Sequence, residues 1–228
     1  MNKKVTELFA KTGDYVKDLN SNISSILKKP KKTVLKKREF DVDTFEKVID
    51  KYHQRRSCRN FFPKEVDFKI VYEIIDASLR VPCAGGIQNI YVIAIEDHHH
   101  IHDLARIHGE QGWAGKAPLM LAIVRDNSEF EKMYPHDFEN LSLQNSAYVS
   151  SSIVNLLALT DLGCCVIRAG DNEKTCKILG VDSSMSVDCL IPIGYSDDLP
   201  GIFSRFPTSS RFYFEKFGNG DRGGGGHH

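Results

Sequence analysis

Residues 55–59 read Arg55-Arg56-Ser57-Cys58-Arg59, and this stretch gives the first indication of the fold. Three guanidinium groups and one hydroxyl lie within five positions, where a predicted helix ends. Arginine binds phosphate well because its planar fork matches two oxygens at once, and serine can donate one more hydrogen bond. The stretch predicts an anion site, with a solvated basic turn as the alternative.

A small-residue loop follows about 25 residues later, Pro82-Cys83-Ala84-Gly85-Gly86-Ile87-Gln88. Paired glycines lack Cβ, so the backbone can approach a flat ligand closely. The Gln88 side chain can both donate and accept hydrogen bonds. Taken alone, the loop is also consistent with an ordinary turn before a strand.

Further along the chain, Leu162–Gly170 runs from a predicted helix end into a buried strand and a small-residue turn, and Arg211 stands in the aromatic tail 203–217. Between these pieces, the hydrophobic spacing interleaves helices and apolar strands. This is not the strict β-α-β order of a doubly wound nucleotide fold. The predicted helices span 4–27, the stretch from about 43 to 54, 67–80, 98–108, 142–162 and 171–179, and the predicted strands span 90–96, 118–124, 164–168 and 187–195.

In this order and spacing, the pieces resemble the nitroreductase family of FMN-dependent oxidoreductases over about residues 43–216. Asn155-Leu156-Leu157 and Ile191-Pro192-Ile193-Gly194-Tyr195 add to the resemblance. It implies an α+β fold in which helices flank a central, mostly antiparallel sheet. It also implies a homodimer with FMN at the subunit interface.

The resemblance further implies which residues bind FMN. Arg55, Ser57 and Arg59 would contact the phosphate, the ribityl chain and the pyrimidine edge, and Arg211 would add to the phosphate site. Residues 83–85 would pass close to the isoalloxazine of the partner's site. Amides near Arg168 would face flavin N5 and O4. The full implied set is Arg55, Arg56, Ser57, Arg59, Pro82, Cys83, Ala84, Gly85, Gly86, Gln88, Ile167, Arg168, Ala169 and Arg211.

The implied activity is hydride transfer from NAD(P)H through flavin N5 to a small electron-poor acceptor such as a nitroaromatic or a quinone. No catalytic side chain is required, because the cofactor carries the chemistry. A specialised flavin reaction, such as reductive dehalogenation or heterocycle oxidation, is one alternative. A non-catalytic binding protein that uses a basic N-terminal arm is another. The chain departs from the family pattern at Gly86 and at Asn89-Ile90, which we interpret as a subfamily feature.

Charge divides the chain unevenly. Residues 1–40 hold eleven Lys and Arg against four Asp and Glu, a net of +7, so the remainder carries −7. We predict a basic amphipathic helix and linker over 1–40, an FMN-binding domain over 41–217, and a tail over 218–228. The N-terminal helix is expected to dock on its own domain or on a second subunit, with a membrane surface as the alternative partner. No nucleic-acid partner is expected.

Six cysteines occur without a Cys-x-x-Cys pair, which indicates buried thiols and a reducing, cytoplasmic setting. No apolar run is long enough to span a membrane. The cluster His98-His99-His100-Ile101-His102 could suggest metal binding. Its place at the start of a short helix, with no second ligand cluster, predicts a solvated helix start and no metal site.

Overall fold

The computed structural model describes residues 41–108, 111–198 and 205–220. The predicted helix over 4–27, the linker over 28–40 and most of the predicted tail over 218–228 lie outside these residues. The division into three segments therefore stays a prediction. Among the described helices, none has the length and hydropathy that crossing a bilayer requires.

Helices and strands alternate irregularly along the chain. The helices are α1 (Val42–Gln54), α2 (Phe68–Ser78), α3 (His98–Ile107), α4 (Ser128–Met133), α5 (Phe138–Leu157) and α6 (Asn172–Leu179). The strands are β1 (Ile90–Ile95), β2 (Leu119–Arg125), β3 (Leu162–Cys164), β4 (Ile167–Arg168) and β5 (Ser186–Tyr195).

One sheet organises these elements, and its strand pairs are antiparallel. The order is β1-β2-β5-β3, and β4 also pairs with β5. Short β3 and β4 therefore share one edge of the long strand β5. The predicted α+β class and antiparallel sheet are confirmed.

The sheet is covered by helices on both faces. In β2, Leu119, Leu121 and Ile123 pack with α2 and α5, whereas Met120 and Ala122 pack with α3 and α6. Side chains alternate between faces along a strand, so a strand that is apolar throughout serves two cores. Strand β2 accordingly lies inside the sheet, between β1 and β5.

Most predicted elements are confirmed within two residues. These are the helices predicted over 67–80, 98–108 and 171–179 and the strands predicted over 90–96, 118–124 and 187–195. In α3, Asp97 caps the helix by accepting hydrogen bonds from the amides of His99 and His100. The four histidines of the cluster thus lie exposed at the start of the helix, as predicted.

Helix α1 spans Val42–Gln54, close to the predicted stretch. Two predictions of element boundaries are wrong. The long helix spans Phe138–Leu157 instead of 142–162. The strand predicted over 164–168 is broken into β3 and β4. The break lies beside Pro192 of β5, which has no amide hydrogen for the ladder.

The segment after α1 lies against the edge of the sheet. Ser57 forms a parallel bridge with Cys164, and Phe62 N donates to Tyr195 O at 2.9 Å. Two glycines allow this approach. A Cβ at Gly163 would lie 2.7 Å from Cys58 Sγ, and one at Gly194 would lie 3.1 Å from Phe61 Cδ1.

A buried histidine ties α3 to the turn that follows β4. His108 Nδ1 accepts a hydrogen bond from Gly170 N at 2.6 Å, so the proton resides on Nε2, 3.2 Å from Thr175 Oγ1. Thr175 Oγ1 donates in turn to Asp171 O at 2.7 Å. Burial lowers the pKa of His108, although the charge of Asp171 opposes this shift.

We expect Gly163→Ala to destabilise the fold. The new methyl group would overlap Cys58, and overpacking of this kind costs about 1–3 kcal/mol. Urea unfolding measures the free-energy change. Gly115→Ala is the matched control, because a Cβ there would meet its neighbours at 3.5 Å or more. Equal stability of the two variants would contradict the proposed close approach.

We expect His108 to make folding less favourable in mild acid. Its pKa in the folded chain lies below its ordinary value, which is about 6.5. As pH falls below that value, the unfolded chain binds the proton first, so the free energy of unfolding decreases until the folded-state pKa is reached. At pH values well above the ordinary pKa, His108 is neutral in both states, and its contribution to the free energy of unfolding is constant.

Urea unfolding at a series of pH values tests this expectation. His108→Gln cannot titrate and should lose that part of the pH slope, whereas exposed His136→Gln should keep it. The expectation fails if the slope in His108→Gln equals that of the wild type.

Candidate functional site

A cavity of about 170 Å³ opens beside the Arg55–Arg59 stretch, and we call it the basic cavity. It lies between the end of α1, the end of α5 and strand β3. Its lining residues are Lys51, Gln54, Arg55, Arg56, Cys58, Val154, Ala158, Thr160, Asp161, Leu162, Gly163, Cys164, Ser196 and Asp198.

The charges of the basic cavity favour an anion. Lys51, Arg55 and Arg56 bring three cationic groups, against the carboxylates of Asp161 and Asp198. Asp198 already accepts hydrogen bonds from the amides of Arg59 and Asn60, at 2.5 and 3.0 Å. These amides offset part of its charge, so the cations dominate the opening.

The thiols of the basic cavity are unsuited to nucleophilic chemistry. Burial raises the pKa of Cys58, although a hydrogen bond with Ser196 opposes the shift. Burial raises the pKa of Cys164 to about 12. Because the thiolate is the reactive form, both sulfurs are protonated and unreactive near neutral pH. This agrees with the prediction of buried structural cysteines.

Arg59 does not join this cavity. Its guanidinium lies over the Trp113 ring, 5.7 Å from the ring centroid, and Trp113 packs against Phe61. The contact is a cation–π interaction at the surface. Arg59 therefore lies near Arg55 in the chain, but its side chain points to Trp113 and not into the cavity that Arg55 lines.

The double-glycine loop lies elsewhere in the chain. None of residues 82–88 lines the basic cavity. Ala84–Gly86 form one 3₁₀ turn, in which Gly85 and Gly86 have φ of 62° and 73°. Gly86 has open space around its Cα, and a Cβ at Gly85 would lie 2.7 Å from Tyr134 Oη. Tyr134 thus packs on the loop.

A buried polar network holds the loop against α5. Asn145 is 2% exposed and binds the loop at Ala84 N (3.0 Å), Ile87 O (3.2 Å) and Asn89 Oδ1 (3.0 Å). Asn89 Nδ2 donates to Ser142 Oγ at 2.7 Å. The loop is therefore tied to the helix by side chains that the sequence analysis did not single out.

The network continues to the middle of the sheet. Ser142 Oγ donates to Asn127 Oδ1 at 2.6 Å, and Arg125 Nη1 donates to the same oxygen at 3.1 Å. Arg125 also pairs with Asp188 at 2.9 Å, with both side chains 12% exposed. Each of these polar groups has a partner, as burial requires.

The segment 167–169 is part of the sheet. Ile167 is buried in β4, Arg168 is exposed, and Ala169 N donates to Asp188 O at 3.1 Å. The Ala169 amide therefore already donates a hydrogen bond within the sheet. A contact between other amides near Arg168 and a flavin stays a prediction. Val166, in the break between β3 and β4, is 48% exposed.

Arg211 is not brought to the basic cavity within the described chain. Its guanidinium lies 4.2 Å from the Phe206 ring centroid in the exposed tail. Phe212 and Phe214 contact each other edge to face at 5.0 Å. The structure brings Arg55 and Arg56 together and leaves Ser57 on an exposed bridge beside them.

Two features of the site escaped sequence reasoning. Lys51 and Gln54 line the basic cavity from the last turn of α1. Lys51 precedes Arg55 by one helical turn, and that spacing was the available signal. Asn145 offered no comparable signal, because other polar residues, Ser142 and Ser146 among them, share the buried face of α5. Within the described residues, no group of three potential metal ligands occurs.

Comparison with known proteins supports the fold. The nitroreductase family model matches residues 52–111 and 105–195. The NADPH:FMN oxidoreductase of Vibrio harveyi, solved with NAD+, is 17% identical over 75% of this chain and 78% of its own, with a TM-score of 0.67. The FMN-dependent nitroreductase of Clostridium difficile is 23% identical over 74% and 99%, with a TM-score of 0.64.

A third solved structure, the NfrA1 nitroreductase of Bacillus subtilis, is 15% identical over 75% of this chain and 74% of its own, with a TM-score of 0.68. At such identities these likenesses show the fold alone. The search of curated proteins gave no match. Because the matched residues 52–195 make up more than half of the 228-residue chain, the chain belongs to the nitroreductase family, as the resemblance in its sequence predicts.

Proposed function

We propose that the chain is an FMN-dependent oxidoreductase that passes hydride from NAD(P)H to a small electron-poor acceptor, and that it works as a homodimer. The observation that carries the proposal is the basic cavity at the sheet edge of a nitroreductase fold. The solved relatives include proteins named as an NADPH:FMN oxidoreductase and an FMN-dependent nitroreductase.

The phosphate end of FMN fits the basic cavity. Arg55 and Arg56 are half-buried at its wall, Lys51 adds a third cation, and Ser196 adds a hydroxyl group. This donor set suits a phosphate, because charge-assisted hydrogen bonds from Arg and Lys are the stronger kind. The cavity of about 170 Å³ is smaller than the roughly 300 Å³ or more of most ligand sites. It therefore takes the phosphate and leaves the ring to other residues.

The double-glycine loop is suited to the ring. Gly86 has nothing within 4 Å of a notional Cβ, so a planar group can lie against its backbone. The loop and the basic cavity are separate surfaces of one chain. In a homodimer, the loop of one chain can complete the site of the other. This arrangement supports the dimer.

Exposed apolar residues also support the dimer. Helix α1 has no buried residue, and Val42 and Tyr52 are 51% and 43% exposed. In the tail, Phe206 and Phe217 are 73% and 93% exposed. We infer that these side chains become covered in the assembly, as exposed apolar surface at an interface does.

In this mechanism the side chains of the protein bind and position the cofactor and take no chemical step themselves. Bound FMN supplies the hydride chemistry between the nicotinamide donor and the acceptor. The cations at 51, 55 and 56 hold the phosphate and fix the cofactor in place. The loop over 82–88 limits where a planar ring can lie. The protonated thiols of Cys58 and Cys164 line the cavity without competing as nucleophiles.

The proposal is tested on the purified protein. We expect it to bind FMN with a visible flavin absorbance that NADH or NADPH bleaches without air, and that a nitroaromatic or quinone restores. Sedimentation equilibrium should give twice the mass of one chain. A protein that takes up no added FMN would overturn the proposed function, and a monomer would overturn the dimer.

We expect Arg55→Ala to weaken FMN binding by about 10- to 100-fold, since one charge-assisted hydrogen bond contributes about 1.5–3 kcal/mol. Quenching of FMN fluorescence measures the dissociation constant. The control is Arg80→Ala, which removes an exposed arginine paired with Asp76 near the end of α2. Equal affinity of Arg55→Ala and the control would place the phosphate elsewhere.

A further inference from the structure

We propose that Asn145 is a positioning residue that fixes the shape of the double-glycine loop and so the place at which the loop meets the cofactor ring. The inference rests on the proposed function, since it needs FMN to be the ligand. It is carried by the three hydrogen bonds of Asn145, all to residues 84–89.

The loop cannot hold this shape by itself. Gly85 and Gly86 both lie in the left-handed region, at φ of 62° and 73°. Glycine reaches this region freely, but it also loses the most conformational freedom when it is fixed there. The turn has only two internal backbone hydrogen bonds, from Gly86 N to Cys83 O at 3.2 Å and from Ile87 N to Ala84 O at 3.1 Å. An external constraint is therefore needed.

The Asn145 amide supplies that constraint at both ends of the turn. Its Oδ1 accepts from Ala84 N, where the turn begins, and its Nδ2 donates to Ile87 O, where the turn ends. The second Nδ2 hydrogen is donated to Asn89 Oδ1. One acceptor and two donors are used together, which is the full set that an asparagine amide offers in this geometry.

No other residue type meets these demands at the same position. Aspartate keeps the acceptor but loses both donors when ionised, and leucine loses all three contacts. Glutamine has the same groups on a longer stem, which a side chain 2% exposed has no room for. Asn145 is therefore matched to the loop by chemistry as well as by size.

Asn145 is itself held in place. Asn89, its partner, is 4% exposed and also donates to Ser142 Oγ and to Asp126 O. The pair Asn89–Asn145 thus fastens the loop to the buried face of α5.

The test compares Asn145→Asp with Asn140→Asp, an exposed position on the same helix. In the FMN-free chain, we expect the amides of Gly86 and Ile87, which close the turn, to exchange with solvent at least about tenfold faster in Asn145→Asp, because the carboxylate no longer donates to Ile87 O and Asn89 Oδ1. FMN should bind about tenfold or more weakly, and the reduction potential of bound FMN should shift. The control should match the wild type in each measurement.

A pH series separates positioning from general stability. Burial raises the pKa of a carboxyl group, so the carboxyl group introduced by Asn145→Asp can become protonated in mild acid and again donate one hydrogen bond. FMN affinity of folded Asn145→Asp should therefore recover in part as pH falls, and that of Asn140→Asp should not. If Asn145→Asp does not fold, Asn145→Ser carries the exchange, affinity and potential measurements.

The outcomes separate two failures. If wild type binds no FMN, the proposed function fails and this inference fails with it. If wild type binds FMN but the Asn145 variants match it in exchange, affinity and potential, only the positioning role is overturned. Faster exchange with unchanged affinity and potential also overturns it, because the loop would then not act on the cofactor.

Discussion

The close approach of the segment after α1 to the sheet is the constraint on which the basic cavity depends. Ser57 pairs with Cys164 and Phe62 with Tyr195, directly over positions where β3 and β5 carry glycine. Side chains at Gly163 and Gly194 would push this segment away. Arg55 and Arg56 could then no longer meet the residues of α5 and β3 that form the rest of the cavity. The glycines of the later strands thus determine whether the early arginine stretch becomes a site.

Sequence patterns predicted the fold well where periodicity is strong. A strand apolar at every position, such as β2, must be covered on both faces, and the helices of the two cores meet that requirement. Boundaries that depend on a partner strand were not predictable in the same way. The gap between β3 and β4 follows from Pro192 on their neighbour β5, and the pairing of these strands is not visible in either strand's own sequence.

The candidate site was predictable to the extent that its residues are adjacent in sequence. Arg55 and Arg56 meet in one cavity because a helix end fixes both, whereas Arg59, three residues later, turns to Trp113. Side-chain direction after a helix depends on tertiary neighbours, and Trp113 lies far away in sequence. The contribution of Asn145 was hidden for the opposite reason. The helix holds Asn140, Asn145 and Asn155, which show no periodic pattern, and only the burial of Asn145 beside the loop distinguishes it.

The two surfaces of the chain make different demands on the residues behind them. Under the proposed function, a phosphate would be held by charge, and half-buried cationic side chains can adjust to it, so the basic cavity would tolerate some movement of its wall. A planar ring is held by contact with backbone, and a loop with two left-handed glycines has many other conformations to visit. The buried network from Arg125 and Asp188 through Ser142 to Asn145 therefore belongs behind the loop and not behind the cavity. The rigid part of the structure thus lies behind the double-glycine loop, where the shape of the backbone matters, and the cationic side chains line the basic cavity, where charge matters.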